Sequence, residues 1–188
     1  MIDILIVLGL ILLNGFFALS ELAVVSSRHS RLKALAASGR RGANRALKLA
    51  TDPGRFLSTV QIGITLVGIL SGVYSGEVFG AQAAAYLTDA GLPPGAAISL
   101  GYGSVAIAVT YFSVIIGELV PKNLALRNAE GVACAVAPIM VVVSKIAAPA
   151  VWLLDASTRL VFRAFGLSTE REVRVTDEEI KALIAEAE

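Results

Sequence analysis

The chain has 188 residues, of which 56% are hydrophobic and 16% are charged, and its formal net charge is +1. Soluble domains usually carry about a quarter charged residues. Here the apolar residues form long blocks, so the composition indicates an integral membrane protein rather than a soluble domain. The single cysteine, Cys134, excludes an internal disulfide and a cysteine-based zinc site.

The first predicted element is a membrane-spanning helix over about residues 4–25. Residues 4–20 carry no charge, and with 22–25 they can cross about 30 Å of hydrocarbon. A secretory signal peptide is the competing interpretation, but no Lys or Arg precedes the apolar run and no convincing cleavage site follows it. Asn14 lies near mid-span, where its amide must find a partner. A hydrogen bond to another helix and a place in a binding site both remain open for it.

A basic segment follows the first span. It holds eight Lys or Arg residues between Arg28 and Arg55, opposed only by Asp52, and this bias predicts a cytoplasmic location. Apolar residues at helical spacing, interrupted by Gly39 and Gly42, predict two short amphipathic helices at the membrane surface. Anionic lipid headgroups are the expected partner of this segment, and nucleic acid is not.

Two further spans are predicted, over about 56–76 and 96–120. The loop expected between them has acidic residues but no Lys or Arg, whereas Lys122 and Arg127 follow the third span. The positive-inside bias therefore predicts three crossings, with the N-terminus outside and the C-terminus in the cytoplasm.

Small residues recur along the second span. Gly68, Gly72 and Gly76 are four residues apart, a spacing that allows close helix packing within the chain or between two copies of it. Ser71 and Ser75 form an adjoining pair. A serine in a membrane helix usually bonds to its own backbone, so ion contact is the alternative for each.

The most informative position is Glu118, which follows Gly117 near the end of the third span. No Asp, Glu, Lys, Arg or His lies between Asp89 and Glu118, and an acid at such depth is a candidate functional residue. Pro121 has no N–H, so a helix that continues through it leaves the Gly117 carbonyl without its usual donor. A free carbonyl beside a carboxylate suits a hard cation. The alternative is a simple ion pair between Glu118 and Lys122, four residues apart.

The last part of the chain is predicted to leave the membrane. Residues 131–154 are long enough for a fourth span, but prolines and Lys145 interrupt them, and a crossing would put several arginines outside. We therefore expect a kinked juxtamembrane helix over about 131–165, completing a transmembrane domain over 1–165. Residues 166–188 are expected to be a linker and the start of a truncated cytoplasmic region, with a capping box at 176–179.

Four stretches of the chain carry a family resemblance: NGFFALSELA (14–23), QIGITLV (61–67), GELVPK (117–122) and VTDEEI (175–180). Together they resemble the transmembrane domain of the CorC/cyclin M (CNNM) family of magnesium transporters. The resemblance implies a homodimer, a pair of cytoplasmic CBS domains after residue 188, and Mg²⁺ efflux with Na⁺ as a possible exchanged ion. It also implies a multi-pass protein of a bacterial or archaeal cell membrane.

The predicted metal site follows from the preference of Mg²⁺ for six oxygen ligands at about 2.1 Å. One carboxylate with several neutral oxygens would bind the ion weakly enough to release it. A membrane anchor that senses cations or nucleotides without conducting is the alternative function, and no enzymatic activity is expected. The predicted ligands are Glu118 and the Gly117 carbonyl, helped by Ser20, Ser71, Asn14 and Ser75.

Overall fold

The computed structural model describes residues 1–165, and within this range the regular secondary structure is entirely helical. Two short π-helical turns, Gly76–Gly80 and Ile115–Leu119, interrupt the longer helices. The α-helices are α1 Ile2–Ser26, α2 His29–Ala37, α3 Ala43–Thr51, α4 Pro53–Ser75, α5 Ala81–Asp89, α6 Pro94–Val114, α7 Val120–Arg127 and α8 Ala129–Ala164.

Four helical stretches in the described part of the chain are long and apolar enough to cross a membrane. The three predicted spans fall within the first three, Ile2–Ser26, Pro53–Asp89 and Pro94–Arg127. The fourth is α8, which contains the predicted juxtamembrane segment as one helix running through Pro138 and Pro149. Length and composition therefore allow a fourth crossing that the charge pattern disfavours.

The second and third stretches are longer than predicted. Residues 77–89 were expected to form an external loop, but the helix continues through the first π-helical turn and α5 to Asp89. This stretch is rich in alanine and contains no proline, so nothing breaks the helix before Gly91, whose φ of 97° ends it. The third stretch continues past Pro121, which lies in the first turn of α7, where a missing N–H is tolerated.

A buried core joins α1, α2, α3, α4, α7 and α8. Its largest fully buried side chains include Phe56, Leu32 and Met140. The beginning of α8 packs along the basic segment: Glu130 accepts a hydrogen bond from the Arg28 backbone N–H at 3.3 Å and lies 3.9 Å from the Arg31 guanidinium. A Cβ atom at Gly42 would overlap the Cys134 carbonyl, so only a glycine at position 42 lets the start of α3 lie this close to α8.

The chain divides into two compact units, Met1–Val151 and Trp152–Glu188. The described part of the second unit is the end of α8 together with Phe165. The predicted linker at 166–188 and its capping box at 176–179 lie outside the described residues.

Candidate functional site

Glu118 lies on the second π-helical turn, Ile115–Leu119, immediately before α7. A π-turn closes its hydrogen bond over five residues instead of four, and such turns are frequent at functional sites. Ser113, Val114 and Glu118 line the same cleft. Val114 and Glu118 are four residues apart, a spacing that places both on one face of a helix.

Asn14 of α1 contacts this turn directly. Its side-chain Nδ2 donates a hydrogen bond to the Gly117 carbonyl oxygen at 3.1 Å. The predicted orphan carbonyl, to which Pro121 offers no N–H, therefore has a side-chain donor from another helix. Of the two roles left open for Asn14, the hydrogen bond between helices is formed.

Two glycines bring α1 close to the second π-helical turn. A Cβ at Gly15 would lie 3.0 Å from the Pro121 side chain and 3.2 Å from the Ile116 carbonyl, and one at Gly117 would lie 3.1 Å from the Ile11 carbonyl. Small residues at such crossings let two membrane helices approach closely enough for backbone contact. This approach places the Asn14 amide within hydrogen-bonding distance of Gly117.

A cleft of about 180 Å³ lies beside this crossing, between α1, α4 and α6. Two oxygens of its lining residues, Asn14 Oδ1 and Ser71 Oγ, are buried and have no hydrogen-bond partner among the described residues. Buried polar atoms are nearly always paired, so two unpaired acceptors beside one carboxylate indicate a ligand or bound water there. The lining residues are Asn14, Gly68, Ser71, Gly72, Val109, Thr110, Ser113, Val114 and Glu118.

The structure brings some of the predicted ligands together and leaves others apart. Asn14, Ser71 and Glu118 line the cleft, and Gly117 is bonded to Asn14 beside it. Ser20 is fully buried and donates to the Phe16 carbonyl at 2.7 Å, and Ser75 donates to the Ser71 carbonyl at 2.7 Å. Both hydroxyls are satisfied by the backbone of their own helix and do not line the cleft.

Glu118 also forms the ion pair considered as the alternative. Lys122 Nζ lies 2.6 Å from Glu118 Oε1 and 4.0 Å from Glu21 Oε2, so its ammonium group lies between two carboxylates. The Glu118 side chain is 44% exposed and the Lys122 side chain 32%. The ion pair is therefore formed, and neither of its two side chains is fully buried.

Sequence reasoning missed two hydroxyl groups of the third span, Thr110 and Ser113, which line the cleft. It also assigned Gly68 and Gly72 mainly to packing. Among residues 1–165, a Cβ at either glycine would have no neighbour within 4 Å, and both glycines line the cleft. The two hydroxyls were visible as polar residues in an apolar span, and Thr110 lies eight residues before Glu118, a spacing that a helix places on one face.

The side chains of the cleft could bind a metal ion only weakly, because few of them are charged. Residues 1–165 contain no cluster of three or more His, Cys, Asp or Glu side chains that could hold a metal ion. The available ligands are one carboxylate, one amide oxygen and several hydroxyls, which are hard oxygen donors. Such a set favours a hard cation that keeps part of its water shell.

Comparison with known proteins agrees with this architecture. The cyclin M transmembrane N-terminal domain, CNNM, matches residues 5–188, which is nearly the whole chain. The chain belongs to the CNNM family.

Several curated relatives cover almost all of this chain. The UPF0053 protein sll0260 of Synechocystis is 46% identical over 175 residues, which are 93% of this chain and 39% of that protein. The UPF0053 protein YhdP of Bacillus subtilis is 32% identical over 99% of this chain and 42% of its own length. The polyamine export protein of Escherichia coli K12 is 30% identical over 97% of this chain and 40% of its own length. The chain thus spans about two fifths of each of these relatives.

Proposed function

We propose that this CNNM domain transports a divalent cation, with Mg²⁺ as its cargo, and acts as an exporter. The observation that carries the proposal is a cleft lined by Glu118 and by two residues with an unpaired buried oxygen, Asn14 (Oδ1) and Ser71 (Oγ). The cleft lies between helices that are long and apolar enough to cross a membrane, which is where a transported ion would have to pass. Na⁺, which prefers similar oxygen ligands, is the proposed exchanged ion.

The size of the cleft supports a partly hydrated ion. A volume of about 180 Å³ leaves room for an ion together with several water molecules. Mg²⁺ holds six oxygens and gives up its waters reluctantly. We propose that Glu118 supplies the charge while the amide and hydroxyl oxygens replace some of the waters or hydrogen-bond to those that remain.

Lys122 is proposed to pair with the Glu118 carboxylate when cargo is absent. Its ammonium neutralises Glu118 at 2.6 Å, which lowers the cost of an isolated carboxylate among apolar helices. An arriving divalent cation would displace Lys122 from Glu118, leaving Glu21 as its other nearby carboxylate. Release of the cargo would let Lys122 return.

A polyamine is the second candidate cargo, because the ammonium of Lys122 already lies between Glu118 and Glu21. A primary amine of a cargo molecule would make the same two contacts after displacing Lys122. The choice of a polyamine among organic cations rests on the relatives that are named polyamine export protein.

Flux measurements in proteoliposomes separate these functions. Protein reconstituted in vesicles loaded with a Mg²⁺ indicator should move Mg²⁺, and the flux should fall in Asn14→Leu and Ser71→Val, which remove cleft oxygens. Ser20→Ala is the matched control, because its hydroxyl bonds only to its own helix. Flux of radiolabelled spermidine without Mg²⁺ flux would favour the polyamine candidate. Mg²⁺ binding without flux of either cargo would favour the alternative of a non-conducting sensor.

We also propose the three-crossing topology, with the N-terminus outside and the C-terminus cytoplasmic. It is supported by the charge pattern, because a fourth crossing by α8 would place Arg159 and Arg163 outside. The start of α8 contacts the basic segment through Glu130 and Cys134, so if that segment is cytoplasmic, α8 begins at the same membrane face. The short helices α2 and α3 are then proposed to lie on the membrane surface.

The proposed assembly is a homodimer in a bacterial or archaeal cell membrane. The glycine face of α4 supports it, since Gly68 and Gly72 have open space beside them within the chain and such faces allow close approach of a second helix. A second copy would close the open side of the cleft. Cytoplasmic CBS domains remain an expectation drawn from the family resemblance.

A further inference from the structure

A second and larger cavity, of about 500 Å³, lies where the end of α3 and the start of α4 meet the middle of α8. Three basic residues line it: Lys48 from α3, Arg55 from α4 and Lys145 from α8. They come from three separate helices, so the convergence is a product of the fold and not of a run in the sequence. This cavity shares no residue with the cleft at Glu118.

The charge of the cavity favours an anion. Among residues 1–165, none of the three basic side chains has a carboxylate within 4.0 Å. The single acid in the lining, Asp52, accepts a hydrogen bond from the Arg55 backbone N–H at 3.4 Å and caps α4. Three cations against one capping carboxylate leave a net positive site beside the N-terminus of a 23-residue helix, which also favours negative charge.

The rest of the lining is apolar and includes one unused polar group. Phe56 is buried, and Val141 and Leu49 complete an apolar wall. Ser144 Oγ is buried without a hydrogen-bond partner among the described residues, although it lines the cavity. A ligand that fits this lining has a phosphate to meet the cations and the hydroxyl, and a hydrocarbon part to cover the apolar wall.

The location of the cavity fits such a ligand. It lies at the first turn of α4, where the polar basic segment changes into an apolar span, so it is at the level of a membrane–water interface. Basic pockets between helices at this level are suited to acidic lipid headgroups, while long basic side chains reach the phosphate along apolar surface.

We propose that this cavity is a binding site for one anionic phospholipid. The phosphate lies among Lys48, Arg55 and Lys145 and accepts a hydrogen bond from Ser144, and an acyl chain lies against Phe56 and Val141. Through its three helices the bound lipid fixes α8 to the start of α4. The site does not depend on the cargo of the cleft.

The test uses the purified protein in a neutral detergent, titrated with short-chain phosphatidylglycerol, phosphatidylcholine or inorganic phosphate in a calorimeter. Phosphatidylglycerol should bind with one lipid per chain and at least tenfold more tightly than either alternative. Replacing all three cations, as in K48Q/R55Q/K145Q, should weaken binding at least tenfold, because each basic residue near a lipid surface contributes about fivefold. The variant K33Q/R41Q/R45Q loses the same charge outside the cavity and should keep the affinity.

A cavity-filling change tests the apolar part without altering any charge. Val141→Trp should weaken phosphatidylglycerol binding several-fold, and Lys145→Gln alone should do so if the triple variant fails to fold. Equal weakening by the two triple variants would overturn the site in favour of diffuse attraction. Equal affinity for inorganic phosphate, or for phosphatidylcholine, would overturn the assignment of an anionic lipid.

Discussion

At Asn14 a single amide group has two functions. Its nitrogen satisfies the Gly117 carbonyl at 3.1 Å, and its oxygen is buried without a hydrogen-bond partner among the described residues. The hydrogen bond holds the amide in one orientation, so the oxygen points to a fixed place instead of rotating between partners. Such fixed positions favour cation binding by neutral oxygens, because the ligands are already ordered before the cation arrives.

Lys122 provides a test at the same scale. Lys122→Gln removes the ammonium that pairs with Glu118 and faces Glu21. Because a partly exposed ion pair contributes little stability, the free energy of unfolding should change by about 1 kcal/mol or less. Mg²⁺ affinity measured by calorimetry should rise, since the ion no longer competes with an attached cation.

Lys33→Gln, which removes an exposed lysine elsewhere, is the matched control and should leave the affinity unchanged. A purely structural ion pair predicts the reverse pattern. In that case Lys122→Gln would lower the unfolding temperature strongly and would leave cation binding as it is in the parent protein.

The residues of the site were only partly predictable from the sequence. Glu118 and Asn14 stood out because a carboxylate and an amide in apolar surroundings need partners. Ser20 and Ser75 looked similar to Ser71 in the sequence, yet the structure satisfies the first two through their own helices and leaves Ser71 Oγ unpaired. Which hydroxyl is left free depends on side-chain rotamers and packing, and sequence spacing does not fix these.

At the scale of elements, the crossing of α1 with the second π-helical turn positions the cleft. The turn itself could not be predicted, because a shift of the backbone hydrogen bonds by one residue changes no apolar periodicity over so short a stretch. The helices were easier to predict than their ends. The long apolar blocks predict α1, α4 and α6. The alanine-rich stretch after α4 contains acidic residues, which favour a loop in a sequence-based prediction.

Two glycines of α1 allow a matched test of the crossing. Gly15→Ala would place a Cβ 3.0 Å from the Pro121 side chain and 3.2 Å from the Ile116 carbonyl, whereas Gly9→Ala would meet nothing within 4 Å. Overpacking of this kind costs about 1–3 kcal/mol, so Gly15→Ala should lower the unfolding temperature and weaken Mg²⁺ binding.

Gly9→Ala should be neutral or slightly stabilising, because alanine favours the helix by up to about 1 kcal/mol. Thermal unfolding in detergent, followed by circular dichroism, measures both variants. Equal unfolding temperatures for the two would show that the close crossing is not required.

At the scale of the whole molecule, the number of crossings decides how α8 functions. Three single-cysteine variants test it in a Cys134→Ala background: Asn44→Cys in the basic segment, Asp89→Cys at the end of α5, and Asp155→Cys in α8. All three positions are exposed. With three crossings, a membrane-impermeant thiol reagent applied to whole cells should label only the cysteine at position 89, and permeabilised cells should show labelling at positions 44 and 155.

Labelling of position 155 in intact cells would instead establish a fourth crossing. For α8 the hydropathy predicts a crossing, whereas the arginines near its end predict that it stays on the cytoplasmic side.

The central claim is that the cleft at Glu118 binds the cargo, and one calorimetric comparison tests it most directly. Glu118→Gln keeps the shape and one oxygen of the side chain but removes its charge. Mg²⁺ affinity should fall at least tenfold in Glu118→Gln and stay unchanged in Ser75→Ala, whose hydroxyl bonds only to its own helix. The unfolding temperature of both variants should remain that of the parent. Unaltered Mg²⁺ affinity in a folded Glu118→Gln protein would contradict the account.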